Sequence, residues 1–358
     1  MALKTFFASS LDDQQVSSWR AFHSLLPGGH YSHDPAWAEV ESRLGAKRTC
    51  RPVFSWCENE GSLCFTAAGV RRESPIPGWG YYDFLRSPAF ESIEYCATWV
   101  GQAAARLRSD ALVLALSPYL RLDRGGDEVE SMLKAHGFVR DSRLGTWGTM
   151  QTDLTAAEDA LWASFPQRTR QGVRGGQKAG MEVRGEDDLA GWQAFSGLHG
   201  EMSMRSGVAP LSTSDLETMS RHWFGGGTRG TVLVARIAGR PVAACVVLVY
   251  RGVAYYLAAG STRAVKGLST SYLLAWEAIK WAQARGCRTL DWCGYNLTAE
   301  PGDPLWGTNL FKSAFSGGAA PVLYCAANER VLAPSRYALA RLARRGNELV
   351  RRRLGERF

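Results

Sequence analysis

A basic stretch in the middle of the chain combines phosphate-binding side chains with closely spaced glycines. It reads "RTRQGVRGGQKAG" and spans residues 168–180. At helical spacing, Arg170, Arg174 and Lys178 fall on one face, and guanidinium groups bind phosphate through two parallel hydrogen bonds. The glycines match neither a dinucleotide-binding motif nor a P-loop. The stretch therefore predicts either an anion-binding surface or a solvated helix face.

A second candidate for phosphate binding is the turn before a strongly patterned helix, in "STRAVKGLSTSYLLAWEAIKWAQARGC", residues 261–287. Free N–H groups at a helix start attract anions. Acyl-CoA transferases bind pyrophosphate there through the six-residue motif (Gln/Arg)-x-x-Gly-x-(Gly/Ala). Counted from Arg263, Lys266 and Leu268 stand where the small residues belong. The pattern indicates a plain helix start, with Lys266 kept as a candidate phosphate ligand.

These candidates lie in two units of alternating strands and helices that divide near residue 155. In the first unit a helix ends near Ser109 and an apolar strand covers residues 111–116. In the second, a hairpin turns at "AGRP", the strand "RGVAYYLAAG" follows, and a helix begins at Ser269 or Thr270 and ends at Gly286. This order is typical of the GNAT acyltransferase fold. We expect an α/β (α+β) protein with two GNAT-like domains, the alternative being one doubly wound parallel sheet.

Composition narrows the class of protein. The 358 residues, 46% of them apolar, suffice for two domains. The N-terminus reaches acidic residues before any apolar stretch, and the longest apolar run, "PVAACVVLVY", is about half a membrane span, so a cytoplasmic protein is expected. The cysteines never show C-x-x-C spacing, and "HYSH" at residues 30–33 has no cysteine pair beside it. We therefore expect free thiols and no metal site.

Three motifs, in order along the chain, resemble the Fem family of aminoacyl-tRNA-dependent transferases. The first is Asp-Leu at a strand end, then Arg-x-x-(Ile/Val)-Arg and Lys-x-Gly-Val, matched at Asp153, Leu154, Arg170, Val173, Arg174, Lys178 and Gly180. The second is a Tyr-Leu-Leu-x-Trp helix with its following strand, matched at Tyr272, Leu273, Leu274, Trp276, Ile279, Ala282, Gly286, Asp291, Trp292 and Gly294. The third is Phe-Lys-x-x-Phe-Gly-Gly, matched at Phe311, Lys312, Phe315, Gly317 and Gly318.

The resemblance covers most of residues 30–325 and implies two tandem GNAT-like domains, at residues 1–152 on the acceptor side and 153–325. It implies that the acyl donor is an aminoacyl ester on a tRNA 3′ end, with no cofactor. Amide formation needs aligned substrates and a stabilised tetrahedral oxyanion. In the third motif, Lys312 beside Phe311 is expected to present a partly desolvated cation to that oxyanion.

The acceptor is expected to be an amine of open identity, because the chain departs from the family at Ser316 and in "PIPGWGYYDFL". A peptidoglycan precursor and a peptide-like or nucleoside metabolite both fit. Asp83 is the candidate for orienting or deprotonating the amine, and Trp79 and Tyr82 are candidate pocket residues. Two rival functions stay open: an acyl-CoA-dependent N-acyltransferase, and a silent module that binds RNA or an anionic surface.

The end of the chain is strongly basic. Residues 334–358 hold eight arginines and two glutamates, so they supply +6 of the net charge of +8. As the resemblance implies, residues 326–358 should form a helix that packs on the first domain. We expect the protein to be a monomer. Its apolar stripe, expected to dock on the body, consists of Leu339, Leu342, Leu349 and Val350. The arginines predicted to bind tRNA are Arg344, Arg345, Arg351, Arg352 and Arg353. A peripheral membrane contact and simple solubility are the alternatives.

Overall fold

The computed structural model describes residues 3–45, 49–141, 147–303 and 305–353, without the side chains of residues 147 and 344–353. Its strands, in chain order, are β1 (Lys4–Ala8), β2 (Cys50–Asn59), β3 (Ser62–Arg72), β4 (Gly80–Arg86), β5 (Ala89–Phe90), β6 (Ala111–Pro118), β7 (Val139–Arg140), β8 (Trp147–Thr149), β9 (Gln151–Asp153), β10 (Glu182–Gly185), β11 (Gly230–Ile237), β12 (Arg240–Tyr250), β13 (Val253–Ser261), β14 (Thr289–Asp291), β15 (Val322–Tyr324) and β16 (Asn328–Val331). The α-helices are α1 (Asp13–Leu25), α2 (Pro35–Arg43), α3 (Ile93–Leu107), α4 (Gly126–Ala135), α5 (Glu158–Ser164), α6 (Gln167–Lys178), α7 (Leu189–Ser206), α8 (Thr213–Met219), α9 (Thr270–Gln283), α10 (Trp306–Ala314) and α11 (Pro334–Arg353).

The chain forms two compact units. Unit 1 contains Met1–Ser42, Ala46–Gly145 and Cys325–Phe358, and unit 2 contains Arg43–Gly45 and Thr146–Tyr324. Each unit has its own cluster of buried apolar side chains. The chain therefore leaves unit 1 to build unit 2 and then returns to unit 1.

Unit 2 is built on a mixed sheet in the order β10-β11-β12-β13-β14-β9. β11 and β12 form the hairpin predicted at "AGRP", where Ala238 and Gly239 have φ angles of +46° and +77°, as a two-residue hairpin turn requires. β13 is antiparallel to β12 and parallel to β14. These antiparallel pairs exclude the alternative of one doubly wound parallel sheet.

The helix predicted between β13 and β14 is α9. It follows Ser269, and the chain turns away at Gly286 with a φ of +69°. Leu274 and Ile279 are fully buried in one cluster with Val247 of the sheet. Burying a side chain of this size contributes about 1.5–3 kcal/mol, so the apolar face of α9 is what holds the helix on the sheet.

α6 lies against the first turns of α9 through glycine. A Cβ atom added at Gly172 would lie 2.9 Å from Cγ of Tyr272, and one at Gly176 would lie 2.9 Å from Cβ of Leu273. Glycine costs a helix roughly 0.8–1.0 kcal/mol relative to alanine, and this close approach gives the glycines a packing role. Two glycines of the 168–180 stretch, Gly172 and Gly176, thus belong to a helix contact.

Unit 1 has the strand order β1-β2-β3-β4-β6-β16-β7, with β5 beside β3. β4 and β6 are parallel and are connected through α3, as β13 and β14 are connected through α9. β16 lies between β6 and β7 and is antiparallel to both. Residues near the end of the chain therefore complete the sheet of unit 1 before α11 begins.

α11 docks on unit 1 through a face other than the predicted one. Tyr337 and Ala340 pack against β6, whereas Leu339 and Leu342 are 58% and 62% exposed. The prediction that these leucines dock is wrong, because the ring of Tyr337 and the small Ala340 fit against the sheet instead. Leu349 and Val350 of the same predicted stripe have side chains outside the described part.

Candidate active site

The ammonium group of Lys312 lies at the carboxyl end of β14. The side chain, carried by α10, is partly buried, and its Nζ donates to the backbone carbonyls of Cys293 and Gly294, the latter at 2.5 Å. An ammonium group has three N–H donors. Two of them hold Lys312 to the chain just beyond the strand end, so the cation has a defined position.

An uncommon backbone turn brings these two carbonyls to Lys312. Cys293 and Gly294 both have left-handed φ angles, +50° and +44°, which a residue with a Cβ atom such as cysteine seldom adopts. The N–H group of Cys293 donates to Oδ1 of Asp291 at 2.8 Å. Backbone strain of this kind persists only where its surroundings stabilise it, and it is concentrated at functional sites.

Asp291, the last residue of β14, is fully buried. Thr149 Oγ1 and Gln151 Nε2 donate to its carboxylate at 2.6 and 3.0 Å. Burial raises the pKa of Asp291, against the opposing effect of these hydrogen bonds and of the nearby Lys312 charge. Burial also lowers the pKa of Lys312. The proton affinities of the carboxylate and the ammonium group are thereby brought closer together.

Aromatic rings surround the same end of β14. The ring centres of Phe311 and Phe315 are 5.3 Å apart, and the Trp292 ring lies 5.8 and 5.3 Å from them. Phe315 and Trp292 are fully buried. An apolar surrounding lowers the local dielectric constant and strengthens the field of a nearby charge, here that of Lys312.

The parallel pairing of β13 with β14 is short. All three residues of β14, Thr289–Asp291, pair with β13, which continues to Ser261. In unit 1 the corresponding parallel pair extends along the whole of the longer β4, Gly80–Arg86. The parallel pairing of unit 2 therefore ends at the residue pair that contains Asp291.

The basic residues predicted to bind phosphate have different surroundings. Arg170 Nη1 donates to two backbone carbonyls at the end of α5, at 3.0 and 2.5 Å. Arg174 is exposed, with its guanidinium carbon 5.5 Å from the ring centre of Trp162. Lys178 and Lys266 are exposed as well. Arg170, Arg174 and Lys178 lie on α6, which packs on the first turns of α9 through its glycine face, and Lys266 lies four positions before α9 begins.

Asp83 of unit 1 belongs to a charged cluster that contains a residue missed by sequence reasoning. Its carboxylate pairs with Arg72 Nη2 at 2.8 Å. The pKa of Glu41 is raised to about 8, mainly by burial and secondly by the negative charge of Asp83. The positive charges of Arg72 and Arg86 lower this pKa in part. Such a carboxyl group keeps its proton near neutral pH. No local pattern marks Glu41, because only the fold brings α2 beside β4.

The two aromatic residues predicted to line an acceptor pocket take part in the packing of unit 1. Tyr82 is 7% exposed, belongs to the main core, and donates its hydroxyl hydrogen to Asp110. Trp79 is partly buried and packs with Tyr337 against β6. Their contacts with neighbouring side chains account for their burial.

Unit 2 also has an open surface depression of about 650 Å³ that no sequence motif predicts. It lies between α7 and the loop that follows, and its lining includes Gly200, Ser203, Met204 and Val208. None of its lining residues belongs to the cluster around Lys312. The small residues of α7 are the signal in the sequence that this surface is concave.

The described ranges contain no group of three or more His, Cys, Asp or Glu side chains placed to hold a metal ion. No described helix is both long enough and apolar enough to cross a bilayer. The side chains predicted to bind tRNA lie outside the described residues, namely those of Arg344, Arg345, Arg351, Arg352 and Arg353.

Comparisons with known proteins bear on the fold. Residues 163–303 match a family model described as an acetyltransferase (GNAT) domain, and sequence comparison with curated proteins finds no match. The crystal structure of FemX is similar with a TM-score of 0.76 at 16% identity, over 94% of this chain and 99% of that one. A tandem GNAT protein from the clavulanic acid biosynthesis pathway is similar with a TM-score of 0.58 at 13% identity, over 93% and 99%. L-PGS from Bacillus licheniformis has a TM-score of 0.50 at 12% identity, over 88% and 90%.

Proposed function

We propose that this chain, which has the GNAT acyltransferase fold in two tandem units, transfers an amino acid from an aminoacyl-tRNA to an amine acceptor. The observation that carries the proposal is the ammonium group of Lys312, held by two backbone carbonyls just beyond the end of β14, where the parallel pairing with β13 ends. The Fem-like motif around Lys312 and the fold likeness to FemX over nearly the whole chain support this class of donor.

The chemistry needs one stabilised intermediate and no covalent enzyme adduct. A neutral amine attacks the ester carbonyl carbon and forms the C–N bond. The C–O bond to the tRNA 3′ oxygen then breaks, and the proton lost by the amine ends on that oxygen. We assign the third N–H group of Lys312 to the oxyanion of the tetrahedral intermediate, with Phe311 as part of the apolar wall.

Phosphate recognition is assigned to the exposed cations of unit 2. Arg174, Lys178 and Lys266 are open to solvent, and Arg170 is assigned with them through the guanidinium nitrogens not used at α5. Acceptor binding is assigned to unit 1. There Asp83 is the proposed group that orients or deprotonates the amine, with Glu41 as its neighbour.

The second candidate function is an acyl-CoA-dependent N-acyltransferase. Two observations favour it: the match to an acetyltransferase (GNAT) domain, and the similar tandem GNAT protein whose structure is described as being without AcCoA. Against it, Lys266 and Leu268 occupy the fourth and sixth positions of the loop, where pyrophosphate binding requires small residues. The third candidate function is that of a catalytically inactive module that binds RNA or an anionic surface. In such a module the defined position of Lys312 would have no role.

The decisive experiment gives the purified chain a pool of charged tRNAs with candidate amines and identifies any new amide by mass. We expect an amide whose formation is abolished by ribonuclease and is unaffected by acyl-CoA. A product that needs acyl-CoA and survives ribonuclease would establish the second candidate. Absence of any product with either donor would support the silent module.

Lys312→Met is the matching test of the proposed chemistry. By analogy with other oxyanion donors, turnover should fall by about 10²–10³-fold, with donor binding retained. Lys134→Met, which removes an exposed lysine from α4, is the control and should leave turnover unchanged. Equal turnover of the Lys312→Met variant and the unaltered chain would remove Lys312 from the mechanism.

A further inference from the structure

One side of α11 is held to unit 1. Arg336 Nη1 donates to the backbone carbonyls of Gly78 and Ser109 at 3.0 and 3.1 Å. Tyr337 and Ala340 pack against β6. These residues fall on one side of the helix, so that side is occupied by contacts within unit 1.

The opposite side of α11 carries an exposed apolar stripe. Leu339 and Leu342, three positions apart, are 58% and 62% exposed. The sequence continues the same helical spacing with Leu349 and Val350. Single exposed leucines are common on protein surfaces, whereas a stripe of them along a docked helix is typical of an interaction surface.

Arginines border this stripe. Arg341 is exposed, and helical spacing puts positions 345 and 352, both arginine, on the same border. The whole segment 334–358 has eight arginines and two glutamates. Apolar and cationic positions side by side on one helix are typical of helices that lie in the plane of a membrane surface.

We propose that the outward side of α11 binds the surface of an anionic lipid bilayer. The leucines would enter the boundary between head groups and acyl chains, and the arginines would pair with lipid phosphates. RNA would use the arginines and leave the leucines in water. A second copy of the chain would bring two arginine-rich helices together against their charge. The inference is separate from the proposed function, because binding to a bilayer needs neither substrate.

The test is flotation of the full chain with vesicles of phosphatidylglycerol and phosphatidylcholine in equal parts, compared with vesicles of phosphatidylcholine alone. Binding is expected only with phosphatidylglycerol, and it should weaken as salt screens the charges. Combining Leu339→Gln with Leu342→Gln should weaken binding by at least about tenfold. Changing Arg351, Arg352 and Arg353 together to Gln should weaken it by about 100-fold.

The matched control is Leu25→Gln, which changes a leucine that is 78% exposed at the end of α1 and should bind vesicles like the unaltered chain. Because Leu339 and Leu342 are exposed, their variant should keep its melting temperature. Three results would overturn the proposal. One is no binding to phosphatidylglycerol vesicles. Another is a pair of results: the arginine variant loses tRNA binding, and the leucine variant binds vesicles as well as the unaltered chain does. The third is that light scattering finds the unaltered chain to be a dimer and the leucine variant to be a monomer.

Discussion

Glu41 is a partly buried carboxyl group in unit 1, and its pKa is raised to about 8, above its ordinary value of 4.5, by burial and by Asp83. The folded chain therefore holds this proton more tightly than the unfolded chain does. The stabilisation is fully present below about pH 4.5 and is lost as the pH rises toward 8, with a slope of at most about 1.4 kcal/mol per pH unit. Glu41→Gln, which cannot ionise, should make the denaturation midpoint of unit 1 less sensitive to pH in that window.

The control for this titration is Glu128→Gln, which changes an exposed carboxyl group on α4. Its midpoint should follow the pH dependence of the unaltered chain. Chemical denaturation at several pH values, monitored by tryptophan fluorescence, measures both variants. If Glu41→Gln and the unaltered chain lose stability in parallel as the pH rises, Glu41 ionises normally and its proposed place beside Asp83 in acceptor binding loses its electrostatic basis.

At the scale of elements, the contact between α6 and α9 depends on glycine at specific positions. A Cβ atom at Gly176 would lie 2.9 Å from Cβ of Leu273, an atom close to the backbone that cannot move aside cheaply, whereas one at Gly175 would meet only Cδ1 of Leu268 at 3.5 Å. Gly176→Ala should therefore destabilise the chain by about 1–3 kcal/mol through overpacking. Gly175→Ala should stabilise it by up to about 1 kcal/mol through helix propensity.

Urea denaturation of the two single variants measures this difference. The opposite signs are the diagnostic result, because both substitutions have the same intrinsic effect on a helix. Equal stabilisation by both would show that α6 does not approach α9 as closely as the structure has it. The position of α6, and with it that of its exposed cations, would then be less well defined.

At the scale of the whole molecule, the predicted fold of two GNAT-like units with a basic C-terminal helix is confirmed by the similarity to FemX and to the tandem GNAT protein, and by the GNAT domain match. The chain closes unit 1 with its last segment. β16 lies between β6 and β7, and Leu332 and Cys325 are buried in the core of that unit. A strand near the C-terminus is thus an interior part of the first unit.

Two truncations should therefore behave differently. Removing residues 325–358 deletes β16 and Leu332, and the loss of one buried leucine alone costs about 2–5 kcal/mol, so unit 1 should lose its cooperative fold. Removing residues 344–358 keeps β16 and the contacts of Tyr337 and Ala340, so both units should stay folded. Hydrogen exchange distinguishes the units. A protected β2–β3 hairpin in the longer deletion would contradict this account.

The local elements of this protein follow from short-range patterns in its amino-acid sequence. The hairpin at "AGRP" and the helix α9 were predictable because glycine conformations and the spacing of apolar residues act within a few positions. Lys312 was singled out because it lies between Phe311 and Phe315 in a motif that resembles that of the Fem family. The predicted roles of Lys312, Asp83 and the basic residues stay predictions.

Contacts between groups that are distant in the sequence depend on how the folded chain packs. Lys312 reaches the carbonyls of Cys293 and Gly294 because a left-handed turn follows β14, and Glu41 is brought near Asp83 by the packing of α2. The docked side of α11 was predicted wrongly for the same reason. Helical periodicity shows which residues share a face, but the shape of the opposing sheet selects the face, and here Tyr337 and Ala340 fit it while the leucines stay in water.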